Sequence, residues 1–128
     1  MPLYTISTEE GVFSPEAKLA LAWEITDFHC RLTGLDKDFV KIIFNTFPNG
    51  DGFVGGKVAA PAILTVLIRI GRSADYKKKM ALELWTMIQR ASGARDAQML
   101  VAIQEAPASQ AMEMGMIMPD VDGEPVLV

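Results

Sequence analysis

Hydrophobic and polar positions along this chain follow one rhythm, change to another, and then repeat the whole sequence of changes. Leu3 to Ser7 alternates residue by residue, the period of a half-buried strand. Ser14-Pro15-Glu16 is a helix start: a capping serine, a proline in the first turn, then an acid. Ala17, Leu21, Ile25, Phe28 and Leu32 keep helical spacing up to Gly34, a residue suited to a left-handed stop. FVKIIFNTF (39–47) is rich in β-branched and aromatic residues and predicts a second strand. PNGDG (48–52) is a turn cluster.

The order then recurs. Pro61 opens AILTVLIRI, a buried strand. Ser73 caps a helix that runs through Met80, Leu84 and Met87 to Gly93, and Gln98 to Ile103 predicts the last strand. Pro2, Ser14 and Gly34 are answered by Pro61, Ser73 and Gly93, each 59 residues later. The chain therefore reads as one α+β domain over 1–128, built from two β-α-β units at about 2–47 and 61–105. Each unit joins parallel strands by a right-handed crossover. Together they predict a four-stranded mixed sheet with two helices on one face; a chance βαββαβ pattern of ferredoxin-like type is the alternative. The other face of the sheet needs a cover, which further subunits would supply. Residues 106–128 break the repeat. Ala108 to Met114 suits a short helix, and Met112, Met114, Met116 and Met118 fall on every second position, as on an extended strand. This segment reads as a flap or an intersubunit arm, with simple packing by flexible methionines as the plainer account.

Composition narrows the function. A net charge of −4 gives no reason to expect nucleic acid or an anionic membrane as partner. The apolar runs are too short to span a bilayer, and no basic segment precedes an apolar one at the N-terminus. One cysteine, Cys30, excludes an internal disulfide framework and fits a reducing, cytoplasmic setting. Cys30 is either a nucleophile or, as befits an apolar helix face, part of the core. No Cys/His cluster suggests a metal. GFVGGK (52–57) lacks the first glycine and the Ser/Thr of a phosphate loop, and NGDG lacks the acidic spacing of a calcium loop. Lys77, Lys78 and Lys79 read as a solvated helix face.

Four residues could carry chemistry on their own account. Arg69 ends an apolar strand and Arg72 precedes a helix N-terminus, so two guanidiniums and free backbone N–H groups converge at one end of the sheet. That suits a carboxylate, whose two oxygens match the guanidinium fork, although two solvated loop arginines would look the same. His29, the single histidine, lies on the inward stripe and is either a satisfied core residue or a hydrogen-bond donor to an anion. Glu113 sits among Ala111, Met112, Met114 and Gly115; turned inward it is a candidate general base toward water, turned outward it is solvated. Pro2 adds a question. Proline is common at a strand start, yet removal of Met1 would turn its nitrogen into a free secondary amine.

Pro2, ITDFHCRLTG (25–34), RIGRSAD (69–75) and EAPASQAMEMG (105–115) together resemble the cis-3-chloroacrylic acid dehalogenase group of the tautomerase superfamily. The resemblance covers nearly the whole chain, from Pro2 to about Pro119. It implies a homotrimer of fused β-α-β pairs, no cofactor or metal, and an N-terminal proline exposed by loss of Met1. By resemblance, Pro2 is the catalytic amine, Arg69 and Arg72 bind the substrate carboxylate, His29 assists them, and Glu113 activates water. Neutral, Pro2 would be a base for enol–keto exchange; charged, it would be an acid that protonates carbon while water adds to an unsaturated acid. With Met1 in place its nitrogen is an amide with no basicity. One position departs from the group: a tyrosine of the dehalogenases that orients water is matched here by Ala102, which points away from efficient dehalogenation. The expectation is a cofactor-independent tautomerase acting on a small unsaturated or 2-oxo acid, with hydration, decarboxylation or weak dehalogenation as further activities. The alternatives are a non-enzymatic trimeric interaction or signalling protein of the same fold, or a ferredoxin-like ligand-binding dimer.

Overall fold

The structure is a computed structural model and describes residues 1–121. Its elements run β1 (Leu3–Glu9), α1 (Pro15–Thr33), β2 (Lys41–Phe47), a hairpin of β3 (Phe53–Val54) and β4 (Lys57–Val58), β5 (Ala62–Arg69), α2 (Ala74–Ser92), β6 (Met99–Ala106), and a second hairpin of β7 (Met112–Glu113) and β8 (Met116–Ile117). The main sheet has the order β2-β1-β5-β6. Its outer pairs are parallel and its central pair, β1 with β5, is antiparallel. This is the expected four-stranded mixed sheet of two fused β-α-β units.

The helix limits follow from their caps. Ser14 accepts a hydrogen bond from the Ala17 N–H, and Ser73 accepts one from the Tyr76 N–H. Gly34 and Gly93 close the helices at φ of 75° and 71°, where a Cβ would be strained. Leu21, Ile25, Phe28 and Leu32 of α1 and Tyr76, Met80, Leu84, Met87 and Ile88 of α2 join Tyr4, Ile6, Leu64, Val66 and Ile68 in one core. Both helices thus cover the same sheet face. The opposite face carries Ile43 and Leu100, each about half exposed.

The duplication extends further than the sequence suggested, with one register change. The second hairpin stands 59 residues after the first, strand for strand. Its turn residues Met114 and Gly115, at φ of 53° and 75°, match Gly55 and Gly56 at 59° and 81°. A two-residue hairpin turn needs positive φ at both positions, which is why Met114 takes a left-handed conformation. The segment expected as a helix over Ala108–Met114 is instead a single 3₁₀ turn (Ala108–Gln110) followed by this hairpin, closed by the Met118 N–H on the Ala111 carbonyl. Of its methionines only Met118 is buried. Within the central strands the match is 60 residues: β1 and β5 pair about Thr5 and Thr65, and Tyr4 and Leu64 both face the core. An offset of 59 would turn one strand's core residues outward. Pro61 therefore corresponds to Met1, and the apparent pairing of Pro2 with Pro61 is a coincidence of spacing. The slip is absorbed between β5 and α2, where the link is one residue shorter than that between β1 and α1.

Leu64 is fully buried in a central strand. Leu64→Ala is expected to cost about 2–5 kcal/mol of unfolding free energy, measured by denaturant titration.

Candidate active site

Antiparallel pairing of β1 with β5 sets Leu3 opposite Leu67, so the start of the chain lies beside Arg69 at the end of β5. Parallel pairing with β2 sets Leu3 opposite Lys41, whose N–H donates to the Pro2 carbonyl at 3.2 Å. The last turns of α1 bring His29 and Thr33, the β5–α2 link brings Arg72, and the first turn of α2 brings Tyr76. Met1, His29, Thr33, Leu35, Ile68, Arg69, Arg72 and Tyr76 line one small pocket. Pro2, fully buried, is the next residue along from the Met1 that lines it. Glu113 comes from β7 and turns inward: its side chain is 8% exposed and its carboxylate pairs with the Met1 amino group. The second oxygen of that carboxylate lies 3.4 Å from the Lys41 Nζ.

The polar groups are held individually. Arg69 donates from Nη1 to the Pro119 carbonyl at 2.6 Å, which ties the segment after β8 to the end of β5. The Arg72 guanidinium lies 5.1 Å from the centre of the Tyr76 ring, within cation–π reach. His29 is 2% exposed, and its Nδ1 lies 2.7 Å from the Tyr4 hydroxyl, with the two rings edge to face. Burial, then the positive fields of Arg72 and the N-terminus, push the His29 pKa down to about 3, so the imidazole is neutral. Burial holds the Tyr4 phenol well above 10.0, so the phenol keeps its proton. The phenol then donates to Nδ1, and the imidazole proton sits on Nε2.

The chain's first amine is also shifted. Burial, then the charges of Lys41 and Arg69, push the Met1 amine from 8.0 down to about 5. The Glu113 carboxylate against it works in the opposite sense, favouring the charged amine.

Some sequence candidates lie elsewhere. Ala102 sits in β6 opposite Thr65 and does not line this pocket. Cys30 is half-buried beside His29, outside the pocket lining, and burial raises its thiol pKa, which disfavours the nucleophilic thiolate. Among the described residues there is no cluster of three or more metal-ligating side chains, and no helix is long and apolar enough to cross a membrane.

Tyr4 and Lys41 are site residues that the sequence pattern did not single out. The internal repeat carries a signal for both. Tyr4 corresponds to Leu64, His29 to Ile88, Lys41 to Leu100, Arg72 to Phe13 and Glu113 to Val54. At each position one unit has an apolar residue and the other a polar one, and the polar ones gather around the chain start. The corresponding place in the other unit is a cavity lined by Thr8, Pro61, Ala62, Ser92, Ala94 and neighbouring uncharged residues.

Two outcomes follow from the Tyr4–His29 pair. An unfolded imidazole takes up a proton near 6.5 and the folded one only near 3. Folding stability therefore falls as pH drops below about 6.5, by at most ~1.4 kcal/mol per pH unit from this group. Thermal unfolding of His29→Gln should lack that part of the pH dependence. Tyr4→Phe leaves Nδ1 without its donor and should cost about 1–3 kcal/mol in denaturant unfolding at neutral pH.

Comparison with known proteins adds the lineage. Residues 1–125 match the family described as "Putative oxalocrotonate tautomerase enzyme". The crystal structure of native Ps01740 is 33% identical, with 87% of this chain and 99% of that one aligned at a TM-score of 0.83. N1, a member of the cis-3-chloroacrylic acid dehalogenase family, is 23% identical over 92% of this chain and 84% of its own, with a TM-score of 0.85. A fused 4-OT, Q0, solved as a symmetric trimer, is 24% identical over 90% and 94% of the two chains, with a TM-score of 0.79. No curated protein matches the sequence. A family match from the first residue to within three of the last, on a doubled β-α-β fold with its polar residues gathered at the chain start, places this chain in the oxalocrotonate tautomerase family of the tautomerase superfamily.

Proposed function

We propose that this chain is a cofactor-independent enzyme in which Pro2, freed by removal of Met1, moves a proton on a small unsaturated or 2-oxo carboxylic acid. The observation that carries this reading is that Met1, whose amine meets Glu113, lines one pocket with His29, Arg69 and Arg72. Met1 is 8% exposed and occupies that pocket. Its loss both frees the ring nitrogen, about 3.8 Å of chain further in, and vacates space beside the guanidiniums.

The environment favours base chemistry. Burial, Lys41 and Arg69 disfavour a cation at the chain start, and the same influences would lower the pKa of a Pro2 amine placed there and favour its basic form. Neutral Pro2 takes the proton from an enol oxygen and returns one to carbon, and the carbonyl forms. Arg69 and Arg72 hold the substrate carboxylate and stabilise charge that develops along the conjugated system. Neutral His29 donates from Nε2 to the same carboxylate. Glu113 stabilises the transient pyrrolidinium and, in the hydration of an unsaturated acid, accepts the proton of the attacking water while the protonated form of Pro2 gives its proton to carbon. In the dehalogenases that this chain resembles a phenol orients that water; Ala102 stands at its place on β6, outside this chain's own pocket, and supplies none, so dehalogenation is at most a minor activity.

We also read the sheet face away from the helices, with Ile43 and Leu100 at its edges, as the surface buried in a homotrimer, the state in which the fused 4-OT neighbour was solved.

Intact-mass measurement should show the chain without Met1, and sedimentation should give three times the 14.0 kDa chain mass. Phenylenolpyruvate should be ketonised, and Pro2→Ala should lower kcat/KM by at least about a hundredfold. Arg69→Ala should act chiefly by raising KM. Full activity in Pro2→Ala would refute the proposal, and fast chloride release from cis-3-chloroacrylate would refute the inference drawn from Ala102.

A further inference from the structure

Glu113 has a second cation. We propose that Lys41 is a positioning residue of this site: its ammonium grips the Glu113 carboxylate alongside the chain's first amine, so that the acid stays ionised without holding that amine in its charged form. The proposal rests on the reading of Pro2 above and deepens it, because it names the group that biases Pro2 toward base rather than acid chemistry.

Two independent observations support it. The first is geometric. One carboxylate oxygen of Glu113 meets the N-terminal amine and the other lies 3.4 Å from the Lys41 Nζ. The Lys41 backbone is anchored here, because its N–H is bonded to the Pro2 carbonyl and it opens β2 directly beside β1. Its side chain is 51% exposed while that of Glu113 is 8% exposed, so the lysine brings a solvated charge to an acid that water hardly reaches. The second comes from the repeat. The corresponding residue of the other unit is Leu100, where the cavity has no chain end and the hairpin residue is Val54. The lysine, from the first unit, and the glutamate, from the hairpin after the second, meet at the chain start, and at the equivalent place between the units both positions are apolar.

Among the described residues, the charged groups around the chain start come from several elements. Lys41 comes from β2, Arg69 from β5, Arg72 from the β5–α2 link and Glu113 from β7; Tyr4 of β1, His29 of α1 and Tyr76 of α2 are neutral. Remove Lys41, and Glu113 interacts with the amine alone, which favours the ammonium. The lysine also lowers the amine's pKa directly through its field, after burial the next largest influence on it.

The experiment is an NMR titration of ¹⁵N-proline-labelled chain lacking Met1, in the parent, Lys41→Met and Lys41→Arg, with the pH profile of kcat/KM measured alongside. The expected result is a Pro2 titration displaced upward in Lys41→Met by about half a pH unit to one, with the rising limb of kcat/KM displaced by the same amount, and Lys41→Arg close to the parent. A Pro2 nitrogen that titrates identically in the parent and in folded Lys41→Met overturns the role given to Lys41 and leaves the reading of Pro2 intact. Equal displacement in Lys41→Met and Lys41→Arg also overturns it, because the charge would then not be what matters. A parent whose Pro2 nitrogen does not titrate at all overturns the reading of Pro2, and this proposal with it.

Discussion

The antiparallel contact of β1 with β5 about Thr5 and Thr65 is the constraint on which the rest of the molecule depends. It joins the two units into one sheet and puts their helices on the same side. It also carries the first residue of the chain to the last residue of β5. Without it the N-terminal amine and Arg69 would belong to separate parts of the protein. Parallel pairing with β2 then adds Lys41 to the same corner, and the hairpin after β6 folds back to deliver Glu113.

This corner concentrates polar groups at an expense that the core offsets. Tyr4 is fully buried and His29 is 2% exposed, and each satisfies the other through a single hydrogen bond of 2.7 Å. A neutral donor–acceptor pair is far cheaper to bury than an ion. The charged members sit where water or an opposite charge is at hand: Lys41 is half exposed and Arg72 lies over an aromatic ring.

Much of this could be read from the chain. Ser14 and Gly34, and their repeats Ser73 and Gly93, delimit the helices because caps act locally, through hydrogen bonds and φ values set within a few residues. His29 was visible as a polar residue on an apolar stripe. Two kinds of information were not local. Strand alternation tells which way Tyr4 points but not what its hydroxyl meets, since His29 is brought there by packing 25 residues away. Lys41 looked like an ordinary strand residue because its partner, Glu113, lies on another element 72 residues on. The second hairpin escaped notice because Met114 holds a turn position at which glycine is the usual sign. The proline landmark misled for a different reason. Parity within a strand is unforgiving, and a one-residue difference in a connecting link passes unseen in a spacing count.

Fusion of two copies has a stoichiometric result. An unfused ancestor would present a free leading end at every unit. Joined head to tail, the second unit has its start locked within a peptide bond, at Pro61, and no processing of the N-terminus can release it. Its pocket loses any use for an acid, an imidazole or a guanidinium, and residues such as Val54, Ile88 and Phe13 fill those positions. One of the two equivalent places between the units is thereby relieved of chemistry, while both halves still give residues to the other.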